Sequence, residues 1–183
     1  MIKITPLEIE GAYKVKSQIF HDNRGSFQEL LKVSEISEIS GDLPWVQSNL
    51  SISKQNTIRG IHFSKSPFLQ NKLVNCIKGN ITDLVVDLRP SSNTYKKFCY
   101  IDLDENSATA VFIPSGLGHA FIARAENSIV NYLLTSEYDP ESEFSINPFD
   151  PEIGIDWGVA NYIISEKDRT APNLSDLVSK GIL

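Results

Sequence analysis

Short runs of alternating apolar and polar residues, each broken by Gly, Pro, Asn or Asp, dominate this chain and constrain its fold more than any other feature. The runs cover Tyr13–Phe20, Ser26–Leu31, Val46–Ser53, Ile58–Phe63, Lys72–Lys78, Ile81–Asp87, Lys97–Leu103, Thr109–Ile113, Ala120–Arg124, Ser128–Thr135 and Glu143–Ile146. A two-residue period turns one face of a strand toward a core and the other toward solvent or a polar cavity. Lys78-Gly79-Asn80 reads as a tight hairpin between two such runs, and Asp104-Glu105-Asn106 as a turn between the next pair. Helix signals are confined to Ser34–Ser40, with Ser34 as cap, and Asn173–Lys180, capped by Asn173 and ended by Gly181. The pattern specifies an all-β chain that hides its sheet edges in a jelly-roll sandwich or barrel, with a few short peripheral helices. No linker, repeat or low-complexity tract interrupts it, so one domain is expected over residues 1–183.

A chain of 183 residues buries a sizeable core without a disulfide or metal staple. Its formal charge of −6 argues against nucleic acid or an anionic membrane as partner, since both require a basic surface. A small anionic ligand stays open, because a local cluster of Arg and Lys can oppose the global sign. Cys76 and Cys99 have no CxxC spacing and read as free thiols in strands. The opening MIKITPLEIEG lacks an apolar signal segment, and the chain reads as cytoplasmic.

Five stretches carry candidate chemistry, and each has a plain structural reading when taken alone. Asp22-Asn23-Arg24-Gly25 is by itself a polar turn. Gln47, Asn49 and Ser51 share one face of a strand, which is unusual unless that face meets solvent or a polar cavity; Arg59 and His62 follow. Arg59 can hold an anion bidentately and the His62 imidazole can act as acid or base, although a lone histidine is more often a surface or core group. Gln70-Asn71-Lys72 leads into Asp83, Val85 and Asp87 on one face, with Leu84, Val86 and Leu88 on the other. Pro114-Ser115-Gly116-Leu117-Gly118-His119 is similar to the second cupin motif, P-x-G-x-x-H. The H-x-H that a metal-binding cupin adds is missing, and His21, His62 and His119 alone give no ligand set, so no metal and no cofactor are expected. Late in the chain stand Tyr132, Tyr138, Glu143, Lys167 and Asp168; an Asp beside a His can orient it, and a Tyr can donate a proton.

The ordered set F-x-D-x-R-G-x-F-x-E, Q-x-N, N-T-x-R-G-x-H, Q-x-K-L-V, G-x-x-x-D-x-x-V-D-L-R, P-x-G-x-x-H and S-x-K-D resembles the dTDP-4-dehydrorhamnose 3,5-epimerase family from Phe20 to Asp168. The resemblance implies a metal-free, cupin-like homodimer acting on a nucleotide-diphosphate 4-keto-6-deoxy sugar. It implies His62 as general base with Asp168 as its charge partner, Tyr132 as proton donor across the ring, and Lys72 at the enolate oxygen. Arg24, Arg59 and His119 would contact the diphosphate. Glu29, Gln47, Asn49, Glu143 and Lys167 would contact substrate, and the Tyr138 ring would stack on thymine.

Three positions depart from the family pattern: Ser64 where Gln is frequent, Ala120 after His119 where Gly is common, and Gly158 after Trp157 where Pro is frequent. They leave a mono-epimerase, or an enzyme for a related nucleotide-4-keto sugar, as the alternative to inversion at both C3 and C5. A non-catalytic sugar-nucleotide-binding cupin is the remaining alternative.

Overall fold

Two antiparallel sheets stack face to face, and the chain changes sheet at almost every connection. The computed structural model describes residues 2–65 and 69–183. The six-stranded sheet runs in the order β1 (Lys3–Pro6), β2 (Tyr13–Lys16), β10 (Thr109–Ile113), β7 (Lys72–Lys78), β12 (Ser128–Leu134), β5 (Gln47–Ser53). The five-stranded sheet runs β13 (Glu143–Ser145), β6 (Ile58–Ser64), β11 (Leu117–Ala123), β8 (Asn80–Asp87), β9 (Phe98–Asp104). β3 (Ile19–Asp22) and β4 (Gly25–Gln28) form a separate hairpin, and three short helices, α1 (Val33–Ser40), α2 (Glu166–Arg169) and α3 (Leu174–Ser179), sit outside the sheets. This is the all-β sandwich expected from the strand pattern, in the cupin-like form that the family resemblance implies.

The alternation of β7, β8, β11 and β12 explains the layering. Val74, Cys76, Ile81, Val85, Val111, Phe121 and Val130 meet between the sheets in one apolar cluster. Leu84, Val86 and Leu88, on the opposite face of β8, pack with Ile58, Ile61, Trp157, Leu174 and Leu177 beneath the C-terminal segment. Leu73 and Phe112, on the outer face of the other sheet, are covered by Ile36 of α1. At roughly 1.5–3 kcal/mol for each large apolar side chain removed from water, these three layers are the main stabilising term.

Several local expectations change. Lys78-Gly79-Asn80 is a corner between sheets and not a hairpin: β7 pairs with β10 and β12, while β8 pairs with β9 and β11. Gly79 has φ +74°, and a Cβ there would lie 2.7 Å from Ser128 Oγ. Ser34 is not a cap; α1 starts one residue earlier with Lys32 at the N-cap, and Glu35 N–H bonds the Lys32 carbonyl at 2.9 Å. The run Tyr13–Phe20 breaks in two, because Ser17 N–H turns to the Ala108 carbonyl and the chain leaves the sheet for the hairpin. Asn173 does precede α3, and its N–H bonds Asp176 Oδ2 at 3.1 Å. β1 and α2 are additional to the sequence reading.

Candidate active site

The interlayer space is apolar along most of its length and polar at one end. There it opens into a cavity of about 240 Å³ lined by residues of both sheets. From the six-stranded sheet come Asn49 and Ser51 on β5, Lys72 at the head of β7, and Tyr132 and Leu134 on β12. These strands are in register, with Tyr132 opposite Asn49 on one side and Val74 on the other, so their pocket-facing side chains stand as a block. Arg59 and His62 on β6, His119 and Phe121 on β11, and Glu143 on β13 form the facing wall. Tyr138 and Lys167 close the mouth.

Simple alternation would put Arg59 and His62, three residues apart, on opposite faces of β6. They share the cavity because the pairing of β6 with β11 shifts register between His119 and Phe121. Gly60 makes this irregularity with φ +115°, and a Cβ at that position would come within 2.6 Å of the His119 carbonyl and the Ala120 Cβ. Only glycine fits there.

His62 Nε2 lies 2.7 Å from Asp168 Oδ1. Asp168 sits in α2, 106 residues away in the chain, where Ser165 caps the helix by accepting the Asp168 N–H at 3.1 Å. Its second oxygen accepts Gly60 N–H at 3.4 Å. Burial would raise this carboxyl, but the hydrogen bond and charge of His62, with Ser165 and Gly60 N–H, hold it below its ordinary value. A fixed carboxylate on Nε2 leaves Nδ1 as the ring nitrogen available to other partners.

A second such pair lies deeper. His119 Nε2 is 2.7 Å from Asp83 Oδ2, and the Asp83 side chain is fully buried. Desolvation raises the Asp83 carboxyl, opposed by His119 and by the charge of Lys72. Desolvation likewise lowers the Lys72 ammonium, opposed by Glu143 and Asp83. Arg59 is steadied by Nε donating to Ser53 Oγ at 3.1 Å and a terminal nitrogen donating to the Ile52 carbonyl at 3.3 Å. Gln47 stands just outside the lining, its Nε2 donating to Asn49 Oδ1 at 2.9 Å and its Oε1 accepting the Tyr138 N–H at 2.8 Å.

The fold therefore gathers His62, Lys72, Tyr132, Asn49, Arg59, His119, Tyr138, Glu143 and Lys167 around one cavity, with Asp168 and Gln47 directly behind them. Arg24 and Glu29 are not brought to this cavity by their own chain. Arg24 lies at the tip of the β3–β4 hairpin, its guanidinium on Asp22 at 2.6 Å, and Glu29 lies beside Lys32 and Glu35 near α1. Phe121 and Leu134 in the lining were not singled out from sequence, and Ser51 and Gln70 in the lining and Asp83 behind it were named there without a site role. Strand alternation carried a signal for Ser51, which shares a face with Asn49, and for Asp83. The Q-x-K-L-V motif contained Gln70. Among the described residues no group of three or more His, Cys, Asp or Glu side chains is arranged to hold a metal ion.

The dTDP-4-dehydrorhamnose 3,5-epimerase family matches residues 6–176. The chain belongs to that family. It is accordingly an enzyme of the epimerase class. A dTDP-4-dehydrorhamnose 3,5-epimerase of Streptomyces griseus is 36% identical over 181 residues, covering 97% of this chain and 90% of the relative. The crystal structure of NovW, a 4-keto-6-deoxy sugar epimerase from Streptomyces spheroides, superposes with TM-score 0.96 at 36% identity, covering 100% of this chain and 92% of the other. ChmJ, a 3'-monoepimerase from Streptomyces bikiniensis solved with dTDP-quinovose, superposes with TM-score 0.92 at 35% identity, covering 97% and 91%. The family thus holds both double and single epimerases. The departures at Ser64, Ala120 and Gly158 bear on neither member of the His62–Asp168 pair. Ser64 Oγ accepts the Gln70 N–H, Ala120 packs against Gly60, and Gly158 N–H bonds Asp156.

Proposed function

We propose that the chain, acting as one domain over residues 1–183, inverts C3 and C5 of dTDP-4-dehydro-6-deoxy-D-glucose to give dTDP-4-dehydro-L-rhamnose. The observation that carries this reading is that an imidazole and a phenol come from facing sheets to one cavity, with an ammonium beside them: His62 from β6, Tyr132 from β12 and Lys72 from β7. A C–H next to a ketone is a weak acid, so abstraction needs a placed base and a cation where the enolate oxygen forms. His62, oriented by Asp168, is the base, and it contributes on the order of 10²–10⁴-fold. Lys72 holds the C4 oxygen, a contribution of about 3–4 kcal/mol by comparison with oxyanion-hole donors. C3 and C5 both flank C4, so one lysine serves both enolates. Tyr132 returns a proton to the opposite face, which is the step that inverts the centre. Arg59 and His119 hold the diphosphate, Tyr138 stacks on the base, and Asn49, Gln47, Glu143 and Lys167 order the sugar and its linkage.

Incubation with this substrate in D₂O tests the reading by counting label. Deuterium at both C3 and C5 supports double inversion. Label at one carbon alone supports the mono-epimerase, the second reading that the 3'-monoepimerase relative favours. No label at either carbon excludes both.

We also propose a homodimer in which Arg24 and Glu29 reach the cavity of the partner. Support comes from three features of the surface. The hairpin exposes Phe20 and Phe27, the edge strand β5 exposes Leu50 and Ile52 at 61% and 58%, and Arg24 turns away from its own site. Mixing inactive Arg24→Ala and His62→Ala proteins tests this. In mixed dimers one site recovers every wild-type residue, so activity should return to about a quarter of the wild-type level if subunits exchange freely. No recovery after refolding the two together contradicts the shared site.

A further inference from the structure

Arg59 carries a positive charge that no carboxylate answers. Arg24, Arg89 and Arg169 each hold a carboxylate within ion-pair distance, and Arg59 holds none among the described residues. It grips the end of β5 instead. Its Nε donates to Ser53 Oγ at 3.1 Å and its Nη2 to the Ile52 carbonyl at 3.3 Å. Ser53 is 2% exposed, whereas Arg59 is exposed and lines the cavity. β5 and β6 lie in opposite sheets, joined by a tight corner in which Thr57 N–H bonds the Lys54 carbonyl at 3.2 Å. The arginine of β6 thus reaches back across the layers to the last residue of β5.

A guanidinium has two edges on which paired N–H groups can grip an anion: Nε with Nη2, and the two terminal nitrogens together. Ser53 and Ile52 take up the first edge. Nη1 has no hydrogen-bond partner among the described residues, so the second edge is the one left for a ligand. A hydroxyl and a carbonyl are neutral acceptors, and they orient the group without cancelling its charge. A long side chain loses rotamer freedom when it grips a ligand, and one already fixed loses less. We infer that Ser53 is a positioning residue for anion recognition: by accepting from Nε, its hydroxyl fixes Arg59 with the terminal-nitrogen edge free to take a pair of phosphate oxygens. The inference rests on the nucleotide-sugar reading of the cavity, in which Arg59 holds the diphosphate.

Binding calorimetry with dTDP and with thymidine, which has no phosphate, tests it. Ser53→Ala should weaken dTDP binding about fivefold, the scale of ordering one long side chain, and change thymidine binding by less than about twofold. Ser53→Thr keeps the acceptor and should bind dTDP within about twofold of wild type. Added to Arg59→Ala, Ser53→Ala should weaken dTDP binding no further, because its effect runs through the arginine. Wild-type affinity for dTDP in Ser53→Ala overturns the inference, and so does Ser53→Thr protein as weak as Ser53→Ala. Equal losses for dTDP and thymidine, or a fivefold loss that persists beside Arg59→Ala, assign Ser53 a purely structural role and overturn it too. Failure of wild-type protein to bind dTDP, or full dTDP affinity in Arg59→Ala, is a different result: it removes the diphosphate role of Arg59, and this inference with it.

Discussion

Two histidine–aspartate pairs with the same 2.7 Å separation sit in different surroundings, and the proposed mechanism gives them different work. In the His62–Asp168 pair the histidine is 34% exposed toward the cavity, and its carboxylate is clasped by a backbone N–H and held below its ordinary value. That environment favours the carboxylate form of Asp168 behind the imidazole that the proposed mechanism uses as base. In the His119–Asp83 pair the histidine is 10% exposed, the carboxyl is fully buried with one oxygen unpartnered, and desolvation raises it. That environment disfavours the charged carboxylate and leaves His119, at the cavity wall, as its one side-chain partner in a hydrogen bond among the described residues. A short hydrogen bond alone does not distinguish the two pairs; both carboxylates are buried, and the additional hydrogen bonds at Asp168 set them apart.

Substitution at the two histidines should break the symmetry most widely. His62→Ala is expected to lower kcat by about 10³-fold or more with a smaller effect on KM, since a general base acts mainly in the transition state. His119→Ala is expected to raise KM about 10–100-fold with a smaller effect on kcat, the pattern of a lost charged contact in the ground state. Steady-state kinetics on both decide this, and equal losses of kcat would erase the distinction. Asp168→Asn comes next, with an expected loss of about 10²-fold in kcat, because the amide keeps the contact but not the charge behind His62. Asp83→Asn should leave kcat within about tenfold.

The pairs should also differ in how stability follows pH. Asp168 has a depressed pKa, so its contribution is present above the ordinary carboxylate value and is lost as pH falls through the folded one. Asp83 is raised, so its contribution is fullest below the ordinary value and is lost as pH rises through the folded one. Melting temperatures relative to wild type should therefore fall with rising pH for Asp168→Asn and climb for Asp83→Asn. Slopes of the same sign would contradict the contrast.

Asp87, on the same face of β8 as Asp83, gives a third point. Arg89, Ser92 and Thr94 bond its buried carboxylate and bring its pKa to about 2 in spite of desolvation. Its contribution is complete above the ordinary carboxylate value of 3.8 and disappears as pH falls toward about 2. Asp87→Asn should cost about 2 kcal/mol at neutral pH and leave kcat unchanged, as denaturant unfolding and kinetics would show.

Much of this was legible in the sequence, for identifiable reasons. Alternation in Gln47–Ser53 and in Asp83–Leu88 showed which side chains share a face, and both sets divide as that period requires, although both faces of β8 are buried. What alternation could not show was a break in itself: the Gly60 irregularity that places Arg59 and His62 on one wall requires knowing that β11 lies alongside. The Gly79 corner looked like a hairpin because the same turn residues serve both, and only the partner strands tell them apart. Asp168 could be paired with His62 only through family resemblance, since helix α2 meets β6 across 106 residues. Gln70 was visible as a motif letter, but its place in the lining and its bond to the Ser136 carbonyl, 66 residues away, needed the fold.

The central claim is that a sugar ring lies between His62 and Tyr132 with its C4 oxygen on Lys72. A crystal structure with dTDP-quinovose bound tests this directly. The account expects the C4 oxygen within hydrogen-bond reach of Lys72 Nζ, about 2.7–3.2 Å, and the imidazole and phenol on opposite faces of the ring. A sugar bound with both side chains on one face, or with C4 turned away from Lys72, would contradict it.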